Sequence, residues 1–439
     1  MQRFWQSLYS FVLIPLLWIL LQATGLVNEK VRRGIRGRDR LFNVLEEQSH
    51  SIPAGTRVWF HSSSLGEFEQ AKPIIVELKQ RHPDLRIIVT FFSPSGYEHC
   101  RNYPLADLVS YLPFDSLRGA RRFLDIVRPD VALLVRYDVW PNHVWELKRR
   151  GIPVLIANAT LRRQTLRLFP IVRSFHRAVY NAVDAFFVVS ETDAETFRLF
   201  TLDRPHIRTI GDTRFDQVTM RSREARNRQI IPPHVLKEKS VLVAGSCWPE
   251  DEAVLIPALA RLHEVIPNIL VIHVPHEPTP AHLEHLEAQI SGKISSLRCS
   301  AVDRHNGEQM IIVDSVGILL ALYATAHVAF IGGSFKQGIH NVLEAAVFGI
   351  PVVFGPRYDN SQEPLMLDDR GGAFVVGNSD DLFRTVRNLF ENVSVRTNAG
   401  RRAAEFVTIH TGTTHRLLSH LSPYLKPRQH LPLPPEAQP

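Results

Sequence analysis

Cysteine is scarce. Three in 439 residues (Cys100, Cys247, Cys299) are too few and too scattered for a disulfide framework or a cysteine-rich zinc site. They suit a reducing compartment. Acid is in deficit as well: 44 Asp and Glu stand against 51 Lys and Arg, for a net charge of +7. That excess suits an anionic partner, either nucleic acid or an acidic membrane surface. The Gly-Lys-Ser/Thr end of a Walker loop and the Gly-x-Ser-x-Gly of a nucleophile elbow are missing, which excludes both devices. No Asp-x-Asp stands at a strand end to clamp a divalent cation, so no metal is called for. Core-forming residues are plentiful. Apolar residues make up 45% and charged ones 22%, which rules out wholesale disorder. At ~150 residues per domain, the length allows two large domains or three small ones.

Charge is absent again from Phe4 to Asn28, and Phe11–Leu21 is apolar except for Pro15. Twenty helical residues cover about 30 Å, the thickness of a bilayer's hydrocarbon core. Trp5, Tyr9 and Trp18 supply interfacial aromatics. Lys30, Arg32, Arg33, Arg36, Arg38 and Arg40 follow at once. Residues 4–28 therefore read as an uncleaved single-pass anchor, with the basic cluster and all that follows on the cytoplasmic side. A signal peptide would carry its positive charge ahead of the apolar run, where only Arg3 stands. A signal peptide and a buried helix are the alternatives. Beside an anchor, the basic cluster suits anionic lipid headgroups better than nucleic acid.

The remainder alternates strand-like and helix-like segments. Val58–His61, Arg86–Phe91, Val131–Val135, Val154–Asn158 and Ala185–Val189 read as strands of a first half. Ser240–Ala244, Leu270–Val274, Ile311–Val313, Val328–Ile331 and Pro351–Phe354 read as strands of a second. Strands alternating with helices predict parallel, doubly wound sheets. The expected division is a first Rossmann-like domain over 41–216, a charged linker over 217–237 and a second Rossmann-like domain over 238–422. A Pro-rich, disordered tail over 423–439 completes it. Two such halves facing a cleft form a ligand-binding architecture.

Two segments carry the chemistry. His61-Ser-Ser-Ser-Leu-Gly-Glu67 joins a strand to a helix at the edge where open α/β sheets bind ligands. Glu67 at that helix start reads either as a general base kept ionised by the helix dipole or as a carboxylate that merely stabilises the first turn. Gly332-Gly333 through Glu344 is a Gly-rich loop feeding a helix, suited to an anion. There His340 and Glu344, four apart, are expected on one helix face, with the carboxylate placed to accept from ribose hydroxyls. A structural Glu paired with a basic residue is the alternative. A metal held by His340 and Glu344 would lack a third ligand. Pro275-His276-Glu277-Pro278 and Arg136-Tyr-Asp138-Val-Trp-Pro-Asn142 are further loops at strand ends.

Taken in order, these pieces resemble the transferases of 3-deoxy-D-manno-octulosonic acid (Kdo), a membrane-anchored family of the two-domain GT-B glycosyltransferase fold. The resemblance runs from the anchor to about residue 410. It rests on Ser-Leu-Gly-Glu67, Asp138-Val-Trp-Pro-Asn142, Gly211-Asp-Thr-Arg-Phe-Asp216, Gly245-Ser246, Pro275-His276-Glu277, Val313-Asp-Ser-Val-Gly317 and Gly332 through Glu344, continued by Gly355-Pro-Arg-Tyr and Glu363. It implies Kdo transfer from CMP-Kdo to a tetraacylated lipid A precursor (lipid IVA) in lipopolysaccharide synthesis, at the cytoplasmic side of the cell inner membrane. Transfer would be inverting and metal-independent, with no cofactor and no nucleic-acid partner. It implies Glu67 as general base, with Asp138 and Arg214 holding or stabilising the reacting groups. The first domain is then the acceptor side, and the second binds CMP through Pro275, His276, Val316, Gly317, Ile318, Asn341, Val342, Leu343 and Glu344. Here Asp138 stands where the family usually has Glu, His276 where many members have Arg, Ile318 where many have Glu, and Arg136 where many have an acid. A GT-B transferase using another nucleotide sugar and a non-catalytic membrane-anchored binding protein are the rival readings.

Overall fold

A computed structural model describes residues 2–425. The chain divides into two compact units. One comprises the residues up to Gln217 together with those from Gly412 onward, and the other is Val218–Thr411.

The first unit is built on a seven-stranded, all-parallel sheet. Its strands are β1 (Arg57–Ser62), β2 (Arg86–Phe91), β3 (Leu108–Tyr111), β4 (Val131–Val135), β5 (Val154–Ala159), β6 (Ala185–Val188) and β7 (His206–Thr209), in the order β3-β2-β1-β4-β5-β6-β7. Alternation along β1 divides its side chains between two cores. Val58 and Phe60 pack with the helix Leu65–Arg81 and with Leu417, Leu418 and Leu421 of the helix Thr413–Leu421. Trp59 packs with Ile88, Phe123 and Leu134 on the opposite face. Central strands buried on both faces account for their near-continuous apolar runs.

The second unit repeats the plan: β8 (Ser240–Cys247), β9 (Ile269–Pro275), β10 (Ser296–Arg298), β11 (Met310–Ile312), β12 (Val328–Ile331), β13 (Val352–Phe354) and β14 (Ala373–Val375), ordered β10-β11-β9-β8-β12-β13-β14. Every pairing is again parallel. Two Rossmann-like units of this kind are the GT-B plan that the sequence predicts. In each, chemistry is expected at the carboxyl ends of the strands.

Several expectations need correction. The anticipated linker over 217–237 contains most of a regular helix, Thr213–Arg226, and a short one, Pro233–Leu236. The boundary at 422 falls too late, because Gly412 and Thr414 donate their backbone N–H groups to Asp216 and the helix they begin belongs to the first unit. The tail's first residues include a 3₁₀ turn, Ser422–Tyr424, and residues 426–439 lie outside the described residues. The N-terminal apolar run is one helix, Gln2–Val27, long and apolar enough to cross a membrane.

Candidate functional site

At the carboxyl end of β1 the chain turns through Ser63 and Ser64 into the helix Leu65–Arg81. Ser64 is the N-cap but makes no side-chain capping bond. Glu67 takes over part of that work, its Oε2 accepting the Ser63 backbone N–H at 2.6 Å. Glu67 is 7% exposed. Burial holds its carboxyl above the usual range. The Ser63 N–H opposes that shift, the nearby Asp138 adds to it, and His61 and Arg136 offset it. The dipole argument, which would keep Glu67 readily ionised, is thus outweighed by desolvation.

Asp138 belongs to the same cluster. Trp59 Nε1–H donates to Thr90 Oγ1 at 2.8 Å. The Thr90 hydroxyl, 2.9 Å from His61 Nδ1, has one proton to give it. With Nδ1 accepting from that hydroxyl, the ring's Nε2–H donates to Asp138 Oδ2 at 2.9 Å. Burial pushes the Asp138 carboxyl up, but the His61 bond and charge, with the Trp140 and Ser63 side chains, pull it below the usual value. Two neighbouring carboxyls are therefore driven in opposite directions, the pattern that separates a proton acceptor from a fixed negative charge. Arg136, just past β4, adopts φ +65, a left-handed turn unusual for a non-glycine residue, directly before Tyr137 and Asp138. Arg214 lies in the helix Thr213–Arg226, its guanidinium held by Asp212 at 2.7 Å. Thr213 locks that turn to β5 and to the Glu67 helix: Asn158 Nδ2 donates to its Oγ1, and its hydroxyl donates to the Gln70 carbonyl at 2.8 Å.

In the second unit the nucleotide-site candidates lie after β9, β11 and β12. Pro275 closes β9, and His276 follows, stacked on Trp248 at 4.4 Å and on His340 at 4.6 Å between ring centroids. Trp248 Nε1–H donates to His340 Nε2 at 2.9 Å, so the neutral His340 ring carries its proton on Nδ1. Burial, with His276 beside it, lowers the His340 pKa to about 4. Val316 is 78% exposed, Gly317 turns at φ +82, and Ile318 is the N-cap of a short helix, Leu319–Tyr323.

The expected helix carrying His340 and Glu344 on one face is not formed. Only Leu343–Ala346 is helical, so His340 and Asn341 precede it in a loop. Asn341 Oδ1 accepts the Leu343 N–H at 3.1 Å, and Val342 and Leu343 are buried apolar packing residues. Glu344 lies 3.4 Å from Arg221 Nη1. The loop itself is packed backbone to backbone: a Cβ on Gly332 would lie 2.3 Å from the Ser246 carbonyl oxygen. Among the described residues no group of three or more His, Cys, Asp or Glu is placed to hold a metal ion. Sequence reasoning passed over Trp248 and did not use His61. Both stand at or next to strand ends on the ligand edge, a signal that was available.

Residues 35–217 match the family model described as 3-deoxy-D-manno-octulosonic-acid transferase (kdotransferase). A 3-deoxy-D-manno-octulosonic acid transferase of Haemophilus influenzae is 25% identical over 96% of this chain and 99% of its own. One of Chlamydophila psittaci is 29% identical over 70% of this chain and 71% of its own. In fold, the chain resembles a UDP-GlcNAc 2-epimerase from Neisseria meningitidis with a TM-score of 0.55, at 14% identity over 82% of this chain and 100% of that one.

Proposed function

Since the chain belongs to the Kdo transferase family and is thereby a glycosyltransferase, we propose that it transfers Kdo from CMP-Kdo to a tetraacylated lipid A precursor, with inversion and without a metal. The observation that carries this reading is the Glu67 carboxyl, buried at the carboxyl end of β1 beside Asp138 with its proton affinity raised. In that state a carboxylate is a stronger base than a solvated one. Glu67 takes the proton of a glucosamine 6-hydroxyl, and the oxygen bonds to the anomeric carbon of Kdo. The bond from that carbon to the CMP phosphate oxygen breaks as CMP leaves. Displacement in one step inverts the centre. Asp138, kept ionised by His61, stabilises cationic character at the reacting carbon, and Arg214 is the matching cation for the departing or acceptor phosphate.

Several second-unit residues support a nucleotide role: Glu344 for the ribose hydroxyls, the Pro275-His276 turn and the Val316-Gly317-Ile318 backbone for the phosphate and base. The Asn341–Leu343 turn shapes their loop. CMP is already a good leaving group from a ketosidic centre, so the chemistry does not demand a divalent cation. The substrate acceptor is a lipid, which places the work at a membrane surface, here the cytoplasmic face of the inner membrane.

The test is product mass spectrometry after incubation with CMP-Kdo and lipid IVA. A mass gain of one or more Kdo units is expected, and no gain would overturn the reading. Competition by CMP against UDP separates it from a transferase of another nucleotide sugar, which the fold likeness to a UDP-sugar enzyme keeps as the second reading. Tight donor binding with no turnover would instead favour a binding protein.

A further inference from the structure

The helix Gln2–Val27 is about 39 Å long at 1.5 Å per residue, enough to cross a bilayer. Its two ends, however, are tied to the same unit. Near its start, Trp5 Nε1–H donates to Ser174 Oγ at 3.0 Å, and the Trp5 ring lies 5.6 Å from Phe175. Tyr9 donates its hydroxyl to Asp115 Oδ2 at 2.8 Å, and Ser10 donates to Asn142 Oδ1 at 2.7 Å. Tyr9 and Ile14 are buried in the first unit's core. Past its far end, Asn28 caps a second helix, Glu29–Arg36, which folds back so closely that a Cβ on Gly25 would lie 2.8 Å from Ile35 Cδ1. That second helix is tied to the same unit, through Arg33 on Glu98 at 3.3 Å. Arg38, just beyond it, donates to the Leu112 and Phe92 carbonyls at 2.9 and 2.8 Å.

A spanning helix would carry Trp5, Tyr9 and Ser10 across ~30 Å of hydrocarbon, away from every one of these partners. It would also strip the buried Asp115 of a donor. The rest of the helix surface is apolar and open, with Phe11, Leu16, Ile19 and Leu20 all exposed. Leu166, Phe169 and Ile171, which are exposed around the segment that receives Trp5, extend the apolar surface. Exposed basic side chains flank both parts in the chain: Lys30, Arg32, Arg33 and Arg36 follow the helix, and Arg162 and Arg163 precede Leu166. Apolar surface flanked by cations matches one occupant, a bilayer with anionic headgroups.

We propose that the N-terminal helix is monotopic: it dips its open side into one leaflet while both its ends, and the unit it is packed on, stay on the same side of the membrane. The native cysteines are all buried, so an introduced cysteine reports cleanly. Gln2→Cys and, in the body, the exposed Glu195→Cys are to be labelled with a membrane-impermeant maleimide in spheroplasts and in inverted vesicles. Both are expected to react from the same side. Labelling of Gln2→Cys from the opposite side to Glu195→Cys would establish a spanning helix and overturn the proposal. In native membranes, a Ser10→Cys/Asn142→Cys pair, whose parent side chains are 2.7 Å apart, should close as a disulfide on mild oxidation. Absence of closure in folded, membrane-bound protein would likewise overturn it. Flotation with vesicles containing anionic lipid should exceed flotation with zwitterionic vesicles. A detergent-free soluble oligomer that ignores both would show that a second copy, and not lipid, covers the surface. None of these readouts uses enzyme activity, so they stand or fall separately from the transfer reaction.

Discussion

Replacing Glu67 by Gln removes a proton acceptor while leaving an oxygen that can still accept the Ser63 N–H. Loss of a general base typically lowers rate by ~10²–10⁴, which is ~2.7–5.5 kcal/mol on the barrier. The stability change is smaller and has two opposing parts. A charge-assisted hydrogen bond contributes ~1.5–3 kcal/mol against ~0.5–1.5 for a neutral one, so Gln forfeits about 1 kcal/mol there. Gln also escapes the burial penalty that raises the Glu67 pKa. The net should lie within about 1 kcal/mol, or ~2–4 °C in Tm for a unit of this size. Glu67→Ala differs, because it strands the Ser63 N–H and should cost ~1–3 kcal/mol. The sign with pH follows from the direction of the shift. A carboxyl whose folded pKa is raised adds stability below its unfolded pKa and loses that contribution as pH rises through the folded value. Wild type should therefore gain stability relative to Glu67→Gln as pH falls from neutral through the raised pKa. The assays are transfer rate, CMP affinity and thermal melting on the same preparations. A Gln variant retaining more than about a tenth of the rate contradicts the size of a general-base effect. It would leave Glu67 as a helix-start carboxylate only.

Glu344→Ala should weaken CMP binding by about tenfold to a hundredfold, the equivalent of ~1.5–3 kcal/mol, read by calorimetry; unchanged affinity in folded protein would place the ribose elsewhere. Activity should survive EDTA, and complete loss restored by added Mg²⁺ or Mn²⁺ would refute a metal-free reaction. Gly332→Ala should destabilise by ~1–3 kcal/mol or more, since its Cβ would press on the Ser246 carbonyl; an unshifted melting curve would mean that the loop and the end of β8 stand too far apart to clash. His61→Gln should slow transfer more than it weakens CMP binding, because its Nε2 holds Asp138. A structural role alone predicts a lower Tm with kinetics per folded molecule unchanged.

The strands legible in the sequence are the central ones. The sequence marks ten and fourteen form among the described residues; the four missed, β3, β7, β10 and β14, are the two edges of each sheet. Edge strands are short and need bury less, and β7 (His206–Thr209) is largely exposed, so neither a long apolar run nor clean alternation marks it. The loop–helix reading of His340 and Glu344 failed for a local reason. Asn341 turns the chain back on the Leu343 N–H, and the buried Val342 and Leu343 are claimed by packing before a regular first turn can form. The placement of Glu67 in the first turn of its helix was legible, because a strand followed by a small-residue loop leads directly into that helix. Its raised proton affinity was not, since burial depends on distant segments. The His61–Asp138 bond joins residues 77 apart in sequence, and no local pattern announces it.

The return of Thr413–Leu421 to the first unit has a bearing on how the molecule can be dissected. Val218–Thr411 is contiguous and can be expressed as a single gene fragment, whereas no single fragment encodes the first unit. A chain stopped before Gly412 keeps every strand of that sheet yet lacks Leu417, Leu418 and Leu421, which seal the face of the core behind the Glu67 helix. It would also leave the Asp216 carboxylate without two backbone donors. A workable version of the first unit alone is therefore a permuted one, with residues 412–425 spliced by a short linker after Gln217. Whether the first unit can be produced by itself thus turns on a segment at the opposite end of the reading frame.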